Sequence, residues 1–96
     1  MSEVARHVHV SGRVQGVAFR WSTQEQARKR GVVGWVRNLD DGRVEAWIQG
    51  PEASVDDLLE WLAHGPPMAR VDELDVHLRD AASDLDDFEV RATARV

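Results

Sequence analysis

Two places in this sequence hold residue types that do chemistry without a thiol. The segment Gly12-Arg13-Val14-Gln15-Gly16-Val17-Ala18-Phe19-Arg20 sets two glycines between a strand-like and a helix-like stretch. A glycine-bearing turn at that junction aims successive backbone N–H groups into one concavity, which favours an anion such as phosphate. Arg20 closes the segment with a planar, permanently charged fork that takes two phosphate oxygens at once. The spacing fits neither the Walker phosphate loop, which needs Gly-Lys-Ser/Thr, nor the G-x-G-x-x-G dinucleotide fingerprint. Both glycines also suit a plain turn, and Arg20 a surface ion pair. The second place is Asn38, whose uncharged carboxamide offers an acceptor and two donors. It suits either a held water or the flank of a turn.

The elements around these residues follow from periodicity. Val4, Val8 and Val10 alternate with His7, His9 and Ser11, the pattern of a half-buried strand, with Arg6 the exception on the apolar side. Trp21 to Arg30 suits a helix whose buried face is Phe19, Thr23 and Ala27 and whose end is Gly31 behind a basic last turn. Val32 to Leu39 and Arg43 to Gln49 are strand-like and flank Asp40-Asp41-Gly42, a strong hairpin signal. Ser54 is a suitable N-cap for a helix with Val55, Leu58, Leu59 and Leu62 at i, i+3, i+4, i+7, stopped at His64-Gly65-Pro66-Pro67. Leu74, Val76 and Leu78 mark a further strand, and the alternation from Phe88 to Val96 another, with an acidic surface loop around Asp84 to Asp87 between them. The order is β-α-β-β-α-β plus one extra C-terminal strand. That predicts an α+β, ferredoxin-like sandwich with two helices on one face of an antiparallel sheet. Such a layout serves many unrelated functions and names none.

Taken together, the segment from Gly12 to Arg20 and the segment from Gly34 through Asn38 to Glu45 resemble the two signature stretches of the acylphosphatase family, and a weaker likeness runs over nearly the whole chain. The resemblance implies hydrolysis of acyl phosphates to a carboxylate and inorganic phosphate. It also implies that the backbone amides of Gln15, Gly16, Val17, Ala18, Phe19 and Arg20, with the Arg20 guanidinium, bind the phosphoryl group, and that Asn38 positions the attacking water. Neither catalytic position departs from the family pattern, and a small residue such as Ala18 leaves the amides open. No cofactor is implied. An acyl phosphate already has a good carboxylate leaving group, so positioning and electrostatics suffice. No general base is evident beside Asn38, which leaves a phosphate oxygen of the substrate to take the water's proton.

Composition narrows the alternatives. The 96 residues fit a single domain, 1–96, with one modest core. The absence of cysteine excludes disulfides and thiolate chemistry. A net charge of −5 disfavours nucleic acid, and no segment is long and apolar enough for a membrane. Met1 to Arg6 shows no apolar leader, so a cytoplasmic monomer acting on a small molecule is expected. His7, His9, His64 and His77 lack acidic or cysteine ligands at characteristic spacing, which predicts structural or solvent-facing histidines and no metal. The four tryptophans are expected to pack in the core or at edges rather than to stack on bases, and Arg28-Lys29-Arg30 to serve its helix's C-terminus. Two other classes stay in view. One is a non-catalytic anion-binding module, since related domains occur inside larger carbamoyl-phosphate-processing maturation proteins. The other is a regulatory or RNA-binding ferredoxin-like module.

Overall fold

The computed structural model describes residues 3–96; of the stretch Met1 to Arg6 discussed above, Met1 and Ser2 lie outside it. The elements are β1 (Glu3–Arg13), α1 (Phe19–Lys29), β2 (Val33–Asn38), β3 (Val44–Pro51), α2 (Glu52–Leu62), β4 (Arg70–Arg79) and β5 (Phe88–Val90), with sheet order β4-β1-β3-β2-β5. This is the expected ferredoxin-like arrangement. The first four strands pair antiparallel, and the extra strand β5 adds beside β2 in parallel, so the sheet is mixed.

Register divides the side chains between two faces. Val8 and Val10 stand opposite Ala46 and Val44 of β3, and Val36 opposite Ala46. These residues, with Ile48, are fully buried under Val55, Leu58 and Leu62 of α2 and Phe19 and Ala27 of α1. The face expected for α1 is the buried one, and Thr23 completes it by donating its hydroxyl to the Phe19 carbonyl at 2.7 Å. Burying one Leu or Phe side chain contributes roughly 1.5–3 kcal/mol, so this layer holds both helices down. The other sheet face carries His7, His9, Trp35, Arg37, Glu45, Trp47, Asp75 and His77 and has no helix over it.

Helix α1 begins two residues early, at Phe19, and β4 four residues early, at Arg70, and three further differences from expectation have physical reasons. β1 continues through Gly12 and Arg13, which pair with Val71 and Arg70 after a register shift at Ser11/Gly12, so the loop proper begins at Val14. The helix α2 starts at Glu52 directly from Pro51, not at a Ser54 cap: Pro51, with φ −56° and ψ 140°, turns β3 straight into the first helical turn, where Glu52 suits the helix dipole. From Phe88 to Val96 only three residues are strand: β5 pairs with Gly34 to Val36, and the next bridge, Leu39 with Ala94, lies one residue out of that register, so the regular ladder breaks. Beyond it the tail continues as single bonds from Arg91 N–H to the Val36 carbonyl and from Ala94 N–H to the Asn38 carbonyl.

The basic turn of α1 is paired, as Arg28 meets Asp87 and Arg30 meets Asp57, while Gly31 at φ 68° ends the helix. None of the tryptophans enters the core. Trp61 packs on Phe19, Trp35 and Trp47 lie on the open face, and Trp21 is 61% exposed. Among the described residues no helix is long and apolar enough to cross a membrane.

Candidate active site

The loop from Val14 to Ala18 is shaped by alternating burial. Val14, Val17 and Phe19 are buried in the core, Gln15 is half-buried, and Gly16 and Ala18 are exposed. The apolar side chains act as anchors, and the backbone between them is displayed to solvent. Gly16 (φ 75°) and Ala18 (φ 62°) are both left-handed, and Ala18 is the one non-glycine residue with positive φ among those described. That conformation costs an L-residue roughly 1–2 kcal/mol, which the flanking anchors at Val17 and Phe19 must offset. The N-terminus of α1 then has no side-chain cap and no acidic residue in its first turn. Among the described residues, the N–H groups of 15–20 find no acceptor inside the protein. Left-handed turns, an uncapped helix start and unpaired donors are together the backbone features that favour an anion.

Arg20 follows in the first turn of α1, half-buried. Arg28, Arg30, Arg37, Arg43, Arg70 and Arg91 are each engaged by a carboxylate, whereas among the described residues Arg20, like Arg6, Arg13, Arg79 and Arg95, has no such partner. Asn38 ends β2 opposite Val44, on the helix-covered face with Val36. Its carbonyl accepts from Ala94, so its backbone is pinned from both sides. Its Oδ1 is the one buried side-chain polar atom without a partner among the described residues. A buried acceptor left unmade costs about 1–3 kcal/mol, and such atoms concentrate where a ligand or water is to be held.

Sequence reasoning placed Gln15 only as a backbone donor and missed its side chain. Gln15 Nε2 donates to the carbonyls of Leu39 at 2.7 Å and Arg43 at 2.9 Å, tying the loop to the hairpin that begins just past Asn38. The acceptors lie 24 and 28 residues away, so no local pattern announces them. The hairpin's acids are also engaged. Asp41 is held below the ordinary carboxylate range by the Arg43 N–H and then by the Arg43 guanidinium, and Asp40 accepts from Val96 N–H at 3.0 Å.

The histidines stand away from the loop. His64 is exposed just past the end of α2, and His7, His9 and His77 lie on the open sheet face. There Glu45 links His7 and Arg37. Burial pushes its carboxyl up, but the hydrogen bonds from Arg37 and His7 outweigh this and leave it below the usual range. Burial, aided by His7, lowers the His9 imidazole.

The chain is similar to known proteins over most of its length. A family model described as acylphosphatase matches residues 6–90. A protein named acylphosphatase from Anaeromyxobacter dehalogenans (strain 2CP-C) is 54% identical over 88 residues, covering 92% of this chain and 95% of its own length. The crystal structure of acylphosphatase from Bacillus subtilis superposes with a TM-score of 0.88 at 36% identity, over 92% of this chain and 98% of that one. An acylphosphatase structure from Coxiella burnetii gives 0.87 at 43% identity, over 93% of each chain. A match of this extent and identity, reaching across the loop, Asn38 and the helix-covered sheet, places the chain in the acylphosphatase family, and it is a hydrolase.

Proposed function

We propose that this hydrolase of acyl phosphates holds the phosphoryl group on the amides of Gln15 to Arg20 and the Arg20 guanidinium, and orients the attacking water on Asn38. The observation that carries the reading is the buried, unpartnered Oδ1 of Asn38 on a strand end bound to an anion-binding loop. An acceptor with no hydrogen to give fixes a water by taking one of its hydrogens, which leaves an oxygen lone pair free for phosphorus. The water oxygen bonds to phosphorus, and the bond from phosphorus to the carboxylate oxygen breaks with its electron pair leaving on the carboxylate. The water's second hydrogen passes to a phosphate oxygen, since Asp40 and Asp41 are engaged by Val96 and Arg43. The amides and Arg20 are already oriented before the reaction, so charge that shifts toward the oxygens meets fixed donors. On this reading the reaction needs no cofactor or catalytic metal, the partner is the small substrate alone, and a monomer in the cytoplasm suffices.

The test is hydrolysis of an aryl acyl phosphate in the presence of chelator, with inorganic phosphate as a competitive inhibitor. Arg20→Ala is expected to lower kcat/KM by about 100- to 1000-fold and to weaken phosphate inhibition. Asn38→Ala is expected to lower kcat while phosphate inhibition stays near that of the parent. Equal loss of phosphate binding in both folded variants would overturn this division of roles.

A further inference from the structure

On the open face of the sheet, away from the loop, register brings together residues far apart in sequence. Glu45 of β3 lies directly across from His9 of β1, with His7 two residues along the same strand. Glu45 Oε2 is 2.7 Å from His7 Nε2 and 3.7 Å from His9 Nε2, and the ligand-capable atoms of the three residues all lie within 4.8 Å of one another. All three are largely shielded, with side-chain exposures of 21% for His7, 19% for His9 and 10% for Glu45. We propose that His7, His9 and Glu45 form a binding site for one divalent transition-metal ion of the zinc class, separate from the hydrolytic loop.

The geometry supports this over a plain polar cluster. A tetrahedral ion about 2.0–2.1 Å from each donor sets donor–donor separations near 3.3 Å. At 3.7 Å, the His9–Glu45 separation is too long for a hydrogen bond and close to the edge of such a tetrahedron. His7 and Glu45, now 2.7 Å apart, need to part by about 0.6 Å. Arg37 holds the other oxygen, Oε1, at 2.6 Å, which fixes the carboxylate with Oε2 turned toward both imidazoles. Two imidazoles and one carboxylate suit zinc, copper, nickel or cobalt and leave magnesium and calcium weakly held. The Arg37 charge opposes a cation, which points to affinity in the micromolar range. The expectation of no metal rested on the lack of an acidic ligand at short spacing; the acid comes from the neighbouring strand.

The experiment uses the untagged full chain, titrated with zinc chloride by calorimetry and with cobalt(II) by visible absorption. One ion per chain with a dissociation constant at or below about 10 μM is expected, with a cobalt spectrum of four- or five-coordinate form. His7→Asn and His9→Asn are each expected to weaken zinc at least 10-fold, with circular dichroism and acyl phosphate hydrolysis unchanged. His64→Asn serves as the control and is expected to bind as the parent does. No saturable zinc binding below 100 μM, or binding that survives the His7→Asn/His9→Asn pair, overturns the site. So does binding lost in His77→Asn but kept in His7→Asn, which would place the ion with His9, Asp75 and His77 instead.

Discussion

Replacing Gln15 with Leu keeps most of the side-chain volume and removes both donors that join the loop to the hairpin. The two bonds, at 2.7 and 2.9 Å, are partly buried, and each contributes about 0.5–1.5 kcal/mol net. Neither acceptor is orphaned, because the Leu39 carbonyl still accepts from Gly42 N–H and the Arg43 carbonyl from Leu39 N–H. The loss is therefore the bonds alone, about 2 kcal/mol. For a domain of this size that lowers Tm by about 10 °C and shifts the urea midpoint without changing its slope. The larger effect is on rate. Gln15 sets the loop relative to Asn38, and misplacement of reacting groups by an ångström costs about 100-fold. That loss is expected in kcat more than in KM, measured with an aryl acyl phosphate on protein shown to be folded. A double-mutant cycle separates positioning from general loosening: on the role proposed for Asn38, the same substitution in an Asn38→Ala background is expected to cost much less. Full additivity of Gln15→Leu and Asn38→Ala in kcat, or a midpoint unmoved by Gln15→Leu, would refute the reasoning.

Two further outcomes follow from contacts around the site. A Cβ at Gly65, where φ is +72°, would sit 2.5 Å from Phe19 Cε2, so Gly65→Ala is expected to destabilise by about 1–3 kcal/mol and to lower kcat through the loop anchor; an unchanged urea midpoint would show that Phe19 is not held there. The Asp87 carboxyl is held below its ordinary value of 3.8 first by the Phe88 N–H and then by Arg28. A depressed carboxyl stabilises above its unfolded pKa and loses that stability as pH falls through the folded pKa. Asp87→Asn is therefore expected to lower Tm at pH 5–7, with the gap to the parent closing below about pH 4. A gap undiminished at pH 2 would mean that the carboxylate charge is not its source.

What was legible in the sequence was what local chemistry settles. Alternation in Val4 to Ser11, the Asp-Gly turn, and the buried stripe of Phe19, Thr23 and Ala27 each state a preference within one element, and the structure keeps all three. The loop was legible for the same reason: Val14, Val17 and Phe19 are apolar anchors separated by residues that tolerate exposed or left-handed backbone. The Ser54 cap is not used because Pro51, with φ −56° and ψ 140°, ends β3 and opens the helix at the next residue. The final strand ends earlier than its alternation predicts because alternation reports which face a side chain takes, not whether the pairing with β2 stays in register, and it slips by one residue before Ala94.

The chemistry that escaped local reading depends on register. Nothing near Asn38 in sequence separates a turn-flanking residue from a water-binding one. In the structure the Asn38 backbone pairs with Val44 on one side and accepts from Ala94 on the other, and its Oδ1 is buried and unmet. The same rule places Glu45 across from His9 and Gln15 Nε2 against the carbonyls of Leu39 and Arg43. A single-residue slip of β1 against β3 would turn His7 and His9 toward the helices and Val8 and Val10 to water, at a cost of several buried side chains. The core thus enforces the pairing between β1 and β3, and β3 in turn fixes Asn38 across from Val44. Function is set by this coupling: the apolar residues that carry no chemistry decide which polar residues meet.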